Sequence, residues 1–305
     1  MILVALTVFL AAAAGVSCDS RTSWAPRVAR LCLTTMLYAL VPFIAYVNFA
    51  HLKLSTDAGL GLLAAYLGMG MAGCVAWLLG RRLGVTRPVL GAMIVATILV
   101  NTGYMGFPTT VALLGSAALP HAVSYDQIVS GPMLFTAGFA VGAAFGDGDG
   151  KGLDVKALLK RLLLRNPPLA AAAAGLLVPA AWAPEVLVHA SHVLVDVLLV
   201  VGFFVVGVFL SSERREDHAR LLELPSRPVL CTLFARFCVN SALLSSLALA
   251  GLGIPAAYIL QSLMPTAISS LLVGHTYGLD QRLTATVIVW DTLLVVSVCL
   301  VIYLV

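Results

Sequence analysis

Charge is what this sequence has least of: 18 Lys and Arg with 14 Asp and Glu make up 10% of its 305 residues, where soluble domains carry about 25%. With 61% hydrophobic residues and a mean hydropathy of +1.02, that scarcity excludes a soluble fold and makes lipid the solvent. The six cysteines, Cys18, Cys32, Cys74, Cys231, Cys238 and Cys299, lack any CxxC spacing, which excludes a disulfide framework and a zinc site. Cys231 and Cys238 fall on one face of an ideal helix, and buried apolar packing is the reading for both. The chain also lacks an HExxH pair, a nucleotide-binding glycine loop and a nucleophile beside a base, so nothing points to an enzyme or calls for a cofactor or metal.

What is present is a series of apolar runs. About 20 residues at 1.5 Å rise cross about 30 Å of hydrocarbon, and the hydropathy predicts spans at Ile2 to Gly15, Val28 to Phe49, Ala58 to Leu79, Val89 to Gly115, Ile128 to Phe145, Pro168 to Trp182, Val186 to Leu210, Val229 to Leu252, Pro255 to Tyr277 and Leu283 to Leu304. The expected fold is an all-α polytopic membrane protein of ten transmembrane helices. The first run resembles a secretory signal with its Ala11 to Gly15 and Cys18 stretch, but it lacks the basic n-region, so it is read as a retained span.

Placement of the basic residues sets the expected orientation. Segments after the odd-numbered spans hold Arg21, Arg27 and Arg30; Arg81, Arg82 and Arg87; Lys151, Lys156, Lys160, Arg161 and Arg165; Arg214, Arg215, Arg220 and Arg227; and Arg282. The opposite loops and both termini hold only Lys53, and Arg236 lies within span eight. The positive-inside rule then puts the odd loops in the cytoplasm and both termini outside, in a multi-pass protein of the cell membrane. These basic clusters read as solvated faces against lipid headgroups, not as a nucleic-acid site.

The most polar segment, Gly146 to Arg165, with Gly-Asp-Gly-Asp-Gly and a basic amphipathic stretch around Lys156 to Arg161, separates five spans from five. The expected organisation is a first five-helix repeat at 1–148, a cytoplasmic linker at 149–165 and a second repeat at 166–305. Because five is odd, the second half starts from the opposite side and the repeats are inverted, as in many transporters. The fourth span of each half is interrupted: Asn101-Thr102-Gly103-Tyr104-Met105-Gly106-Phe107-Pro108 in span four, and Gln261-Ser262-Leu263-Met264-Pro265-Thr266 in span nine. A proline removes one helix bond and crowds the preceding turn, and glycine adds freedom, so both helices are expected to unwind near mid-membrane. Unwound backbone is tolerated there only beside a cavity or inside protein. Two crossing breaks would expose N–H groups and half-helix N-termini to an anion. Pro42, Pro132 and Pro179 are expected to kink other spans.

The stretches NTGYMGFP from Asn101, MPTAISSLLVGHTYGLD from Met264, RNPPLAAAAAGLLVP from Arg165 and YALVPFIAYVNF from Tyr38 together resemble the auxin efflux carrier family of permeases, which includes bacterial organic-anion transporters and plant PIN-formed exporters. The resemblance covers nearly the whole chain. It implies the ten-span fold of the bile-acid symporter superfamily with crossing spans four and nine, elevator-like alternating access, a dimer in some relatives, and an anionic substrate. Carried onto this chain, Asn101, Gly103, Gly106 and Pro108 match the first crossover and Pro265 the second. The chain departs from the family pattern at Val200-Val201-Gly202-Phe203, which lacks a proline, at Asp291, where Ser or Thr is usual, and at Asn240, where proline is common. It also lacks the long loop of the plant exporters, so auxin itself is not implied.

Asp196, Arg236 and Asp291 fall near mid-span, where a charge costs at least about 2.5 to 3.5 kcal/mol and must face protein or water. One Asp is expected to pair with Arg236, as a purely structural tie or otherwise, leaving the other carboxyl to carry a proton; Asp291 is the candidate. His192, Asp126 and His275 lie nearer span ends, where interfacial solvation is the reading. Asn48, six residues beyond Pro42, is a candidate amide lining the site, and Tyr104 and Phe107 either line the cavity or pack against neighbours. The expected function is a secondary transporter of a small organic anion, bound by Asn101, Thr102, Gly103, Tyr104, Gly106 and Pro108 of span four with Gln261, Met264, Pro265 and Thr266 of span nine, and coupled to protons or the membrane potential. Sodium coupling is the nearer alternative, since hard cations take oxygen ligands, and a non-transporting sensor or assembly protein is the second class.

Overall fold

A computed structural model describes residues 2–51, 59–146, 167–217 and 225–304. The described residues are helical, with one isolated antiparallel bridge between Val100 and Thr266 as the extended element among them. The helical segments are α1 (Ile2–Arg21), α2 (Ala25–Ala50), α3 (Gly59–Arg82), α4 (Arg87–Ile98), α5 (Phe107–Leu114), α6 (Leu119–Phe145), α7 (Pro167–Leu177), α8 (Glu185–Asp217), α9 (Arg227–Leu249), α10 (Ala256–Ser262), α11 (Ser269–Tyr277) and α12 (Gln281–Leu304). Five of them, α2, α3, α6, α9 and α12, are long and apolar enough to cross a membrane by themselves. The chain is a membrane protein of the α-helical kind. The basic stretch around Lys156 to Arg161 lies outside the described residues.

Three in-span prolines share one local solution. Pro42, Pro108 and Pro132 each sit in the first turn of an α segment that follows a π turn, at Met36–Leu40, Thr102–Gly106 and Asp126–Ser130. A proline ring collides with the carbonyl four residues back. Widening that turn by one residue moves the carbonyl aside without breaking the helix. Pro179 does not kink a span: it lies just past the end of α7, where the chain needs a stop. A further π turn at Ala235–Val239 inserts a residue between Cys231 and Cys238, so the two leave the common face expected of them. Cys238 is exposed while Cys231 is half-buried.

The helices sort by packing. α1 lies chiefly against α8, and α7 chiefly against the second half of α2. Both contacts are close because glycine meets backbone. A side chain on Gly15 would run into the Phe204 carbonyl and Val208 nitrogen, one on Gly207 into the Ala12 carbonyl, and one on Gly175 into the Tyr46 carbonyl and Ala50 nitrogen. Small residues at such crossings are the usual means of helix association in lipid, where dispersion replaces hydrophobic drive. The other segments form a second group in which α4 packs on α3, α6 and α12, α9 on α3, α10 on α6, and α11 on α6 and α12. The groups meet where α8 touches α12 and where α11 touches α2.

Candidate functional site

Two helices of the second group are interrupted. The helix begun by α4 stops at Ile98, runs extended through residues 99–101, and resumes through the π turn to α5. The helix begun by α10 stops at Ser262 and resumes as α11 at Ser269. Leu99–Val100–Asn101 and the segment about Pro265 run antiparallel and satisfy each other. The Asn101 N–H donates to the Pro265 carbonyl at 2.8 Å, and the Ala267 N–H donates to the Leu99 carbonyl at 2.9 Å. The Thr266 hydroxyl donates to the Ala96 carbonyl at 2.8 Å, which fixes the second break against the end of α4. Backbone freed by each interruption is thus paired by the other.

Two buried charges hold the second break. Arg236, only 1% exposed, donates from Nη1 to the Ser262 carbonyl at 3.1 Å and from Nη2 to the Met264 carbonyl. It therefore meets the negative, carbonyl-bearing end of α10 with a cation. Asp291, fully buried on α12, accepts the Thr266 N–H on Oδ2 at 2.7 Å, ahead of the positive end of α11. Each charge opposes the dipole end it faces. Among the described residues Arg236 and Asp291 bond to the chain at 262–266 rather than to one another; a pairing of Arg236 with Asp196 lies outside the described side chains.

Gln261, at the end of α10 and fully buried, reaches toward α5, its Nε2 3.5 Å from the Thr110 hydroxyl. It fits because Gly106 has no side chain; a Cβ there would overlap the Gln261 amide. The Thr102 hydroxyl donates to Asp126 Oδ1 at 2.5 Å, and the space at Gly103 is otherwise open, with that same oxygen 3.7 Å from where a Cβ would sit. Asp126 is therefore part of the crossover, not an interfacial residue. Span five starts at Leu119 rather than at Ile128, which brings Asp126 inside the helix. The mixed run from Leu119 to Gln127, with its proline and histidine, masked that earlier start. On the same helix Tyr125 receives the Asn240 amide at 3.0 Å.

Several buried polar atoms here have no partner: Asn101 Nδ2, Gln261 Oε1, Asp291 Oδ1, Thr292 Oγ1 and Arg236 Nε. Each such atom costs about 1–3 kcal/mol, and five of the buried side-chain atoms without a partner among the described residues belong to residues of this crossing or adjoin them. The crossover unites Asn101, Thr102, Gly106, Met264, Pro265, Thr266, Gln261, Arg236 and Asp291; Gly103 and Pro108 frame the π turn. Asn48 lies half-buried on α2 with no hydrogen bond to this crossing among the described residues. The side chains of Tyr104 and Asp196 lie outside the described ones. His275 meets the Thr34 hydroxyl at 3.4 Å, between α11 and α2.

No protein-family model matches the chain, and no curated protein matches it.

Proposed function

We propose that this protein is a secondary transporter of a small organic anion in the cell membrane, with the crossing of the two interrupted helices as its substrate site. The carrying observation is the crossing itself. Two broken helices pair backbone to backbone deep in an apolar bundle and surround the join with buried polar atoms that lack partners. Packed protein has no structural need for unsatisfied amides at that depth, whereas a carrier must offer bonds that only its solute completes. The Asn101 amide and the Arg236 Nε–H are donors for a carboxylate, and the Gly103–Asp126 side is the open approach.

The proposed architecture is ten spans in two inverted repeats, 1–148 and 166–305, with both termini outside. Exchange of packing partners supports it. Span one (α1) rests on span seven (α8), and span six (α7) rests on span two, the relation expected when spans five apart are equivalent. The sequences at these contacts also agree: Ala11 to Gly15 and Ala171 to Gly175 both read Ala-Ala-Ala-Ala-Gly, and each glycine is the residue whose side chain would strike the partner's backbone. Separation of α1, α2, α7 and α8 from the group that carries the crossing supports movement of one group past the other as the route to alternating access.

The test is purified protein in liposomes, supplied with mono- and dicarboxylates under a proton gradient, a sodium gradient or an imposed potential, with thermal shift measured on the same anions in detergent. Transport of at least one anion, with a saturable shift lost in Asn101→Ala, is the expected result. No flux and no shift for any anion overturns the proposal.

A further inference from the structure

We propose that the anion enters the crossing together with a proton, and that Asp126 is the residue that takes the proton. The proposal rests on the anion-carrier reading and names its coupling ion.

A site for anions that has a carboxylate at its open side repels its own solute, and this crossing has one there. Asp126 Oδ1 accepts the Thr102 hydroxyl at 2.5 Å and lies 3.7 Å from where a side chain on Gly103 would begin, in space that is otherwise open. Thr102 and Gly103 start the π turn that follows the first break, so the carboxyl sits beside the break itself. The stretch Asp126–Ser130 packs against α3 and against that turn. Their ionisable residues with described side chains are Tyr66, Cys74, Arg81 and Arg82. None of these acts on the carboxyl, whose polar neighbour among the described residues is the Thr102 hydroxyl. On its own helix, Tyr125 is bonded to Asn240 and His121 lies edge-on to the Tyr258 ring.

A charge without a partner is costly inside an apolar bundle, and two carboxylates sharing one site oppose each other's ionisation. A proton on Asp126 relieves both. Oδ1 continues to accept the Thr102 hydroxyl while Oδ2 carries the hydrogen, and a group that repelled the solute becomes a donor to it.

Asp291, the carboxyl that the sequence suggests for this task, is placed for another. It is fully buried, accepts the Thr266 N–H and faces Arg236, so a proton there strips a buried guanidinium of its counter-charge. Asp126 is half-buried, two turns into α6 from Leu119, and its protonation strands no cation among the described residues. The charges that grip the second break stay as they are. Proton and anion are then linked reciprocally: anion affinity rises as pH falls through the range in which Asp126 gains its proton, and anion binding draws a proton from solution.

The test uses the purified chain with mono- and dicarboxylates that stay ionised above about pH 5.5, pyruvate, lactate and oxalate among them. Binding by titration calorimetry is expected to be about ten- to a hundredfold tighter near pH 5.5 than near pH 8. Repeating it in buffers of different ionisation enthalpy is expected to show about one proton taken up per anion. Asp126→Asn, which keeps an acceptor for Thr102 and cannot ionise, is expected to bind equally at both pH values with no proton uptake. Asp126→Glu and Asp291→Asn are expected to keep the pH dependence. Wild-type affinity that is equal at the two pH values overturns the proposal, as does a pH dependence that survives Asp126→Asn. A monodisperse Asp126→Asn protein that binds no anion at either pH also overturns it, because the neutral amide stands in for the protonated acid. Anion flux in proteoliposomes with no proton uptake on binding overturns the proposal and leaves the carrier reading standing. No flux of any anion overturns both.

Discussion

Replacing Arg236 is the sharpest test of how the second break is held. Arg236→Met removes both donors, so the Ser262 and Met264 carbonyls lose their partner and the buried Asp291 loses the guanidinium that faces it. Losing one member of a buried charged set costs about 3–5 kcal/mol. At about 2 °C per kcal/mol for a chain of this length, the midpoint of thermal unfolding in detergent is expected to fall by about 6–10 °C. Asp291→Asn acts differently, since the amide oxygen still accepts the Thr266 N–H. It keeps that hydrogen bond but removes the carboxylate facing the buried Arg236, so the loss is expected to be smaller than that of Arg236→Met, about 1–3 kcal/mol, a drop of about 2–6 °C. The double variant should melt above the sum of the two losses, because removing Arg236 matters less once Asp291 is neutral, by a coupling of about 0.5–3 kcal/mol. An Arg236→Met protein that melts within about 2 °C of wild type, or a strictly additive double variant, would show that the two charges do not hold the break.

Two further expectations concern packing. Gly15→Val, Gly207→Val and Gly175→Val each push a side chain into a partner helix's backbone and should cost about 1–3 kcal/mol or more by overpacking, whereas Gly70→Ala, on α3 with nothing within 4 Å, should be neutral or stabilise by up to about 1 kcal/mol through helix propensity; melting curves of the set decide it. Among the cysteines, Cys299→Trp should overpack a buried site and lower the melting midpoint, whereas Cys74→Trp and Cys238→Trp, on the outward faces of α3 and α9, should be tolerated. Equal losses at all three would contradict the packing of α3, α9 and α12.

The two breaks were the most legible part of the site. Proline with glycine at Gly103, Gly106 and Pro108, and Pro265 with flanking amides, are local signals, and unwinding is a local consequence of a missing N–H and a missing Cβ. What satisfies the unwound backbone is not local. That Arg236 caps the carbonyls at Ser262 and Met264 from another helix, across 26 and 28 residues of sequence, depends on packing that no window along the chain contains. The same holds for Asp126, 24 residues from the hydroxyl it accepts. Its place in a polar, proline-bearing run suggested an interfacial span end, and only the pairing of α6 with α10 and with the span-four turn brings that run into the packed bundle. A π turn likewise escapes a reading made at a fixed 3.6-residue period, which is why Cys231 and Cys238 separate.

The breaks themselves are held in unlike ways, and this bears on which of them yields. The one at 263–268 is gripped on both sides, by a guanidinium on its carbonyls and a carboxylate on its N–H, both inside the bundle. The one at 99–106 has no buried charge of its own; it leans on the other through two backbone bonds and on Asp126 through a single hydroxyl, beside an open glycine. Two buried charges on one segment and a single hydroxyl grip on the other mean that parting the crossing disturbs the span-four side first, because fewer strong bonds hold that side to the rest of the bundle. Solute entry is therefore expected from the Thr102–Gly103 face. Thr102→Val, which removes that one grip while leaving both charges in place, should raise hydrogen exchange of the amides at 102–106 and leave those at 264–267 protected. Equal loss of protection in both segments would mean that the crossing opens as a unit, and that the charges hold the two breaks to each other rather than the second break alone.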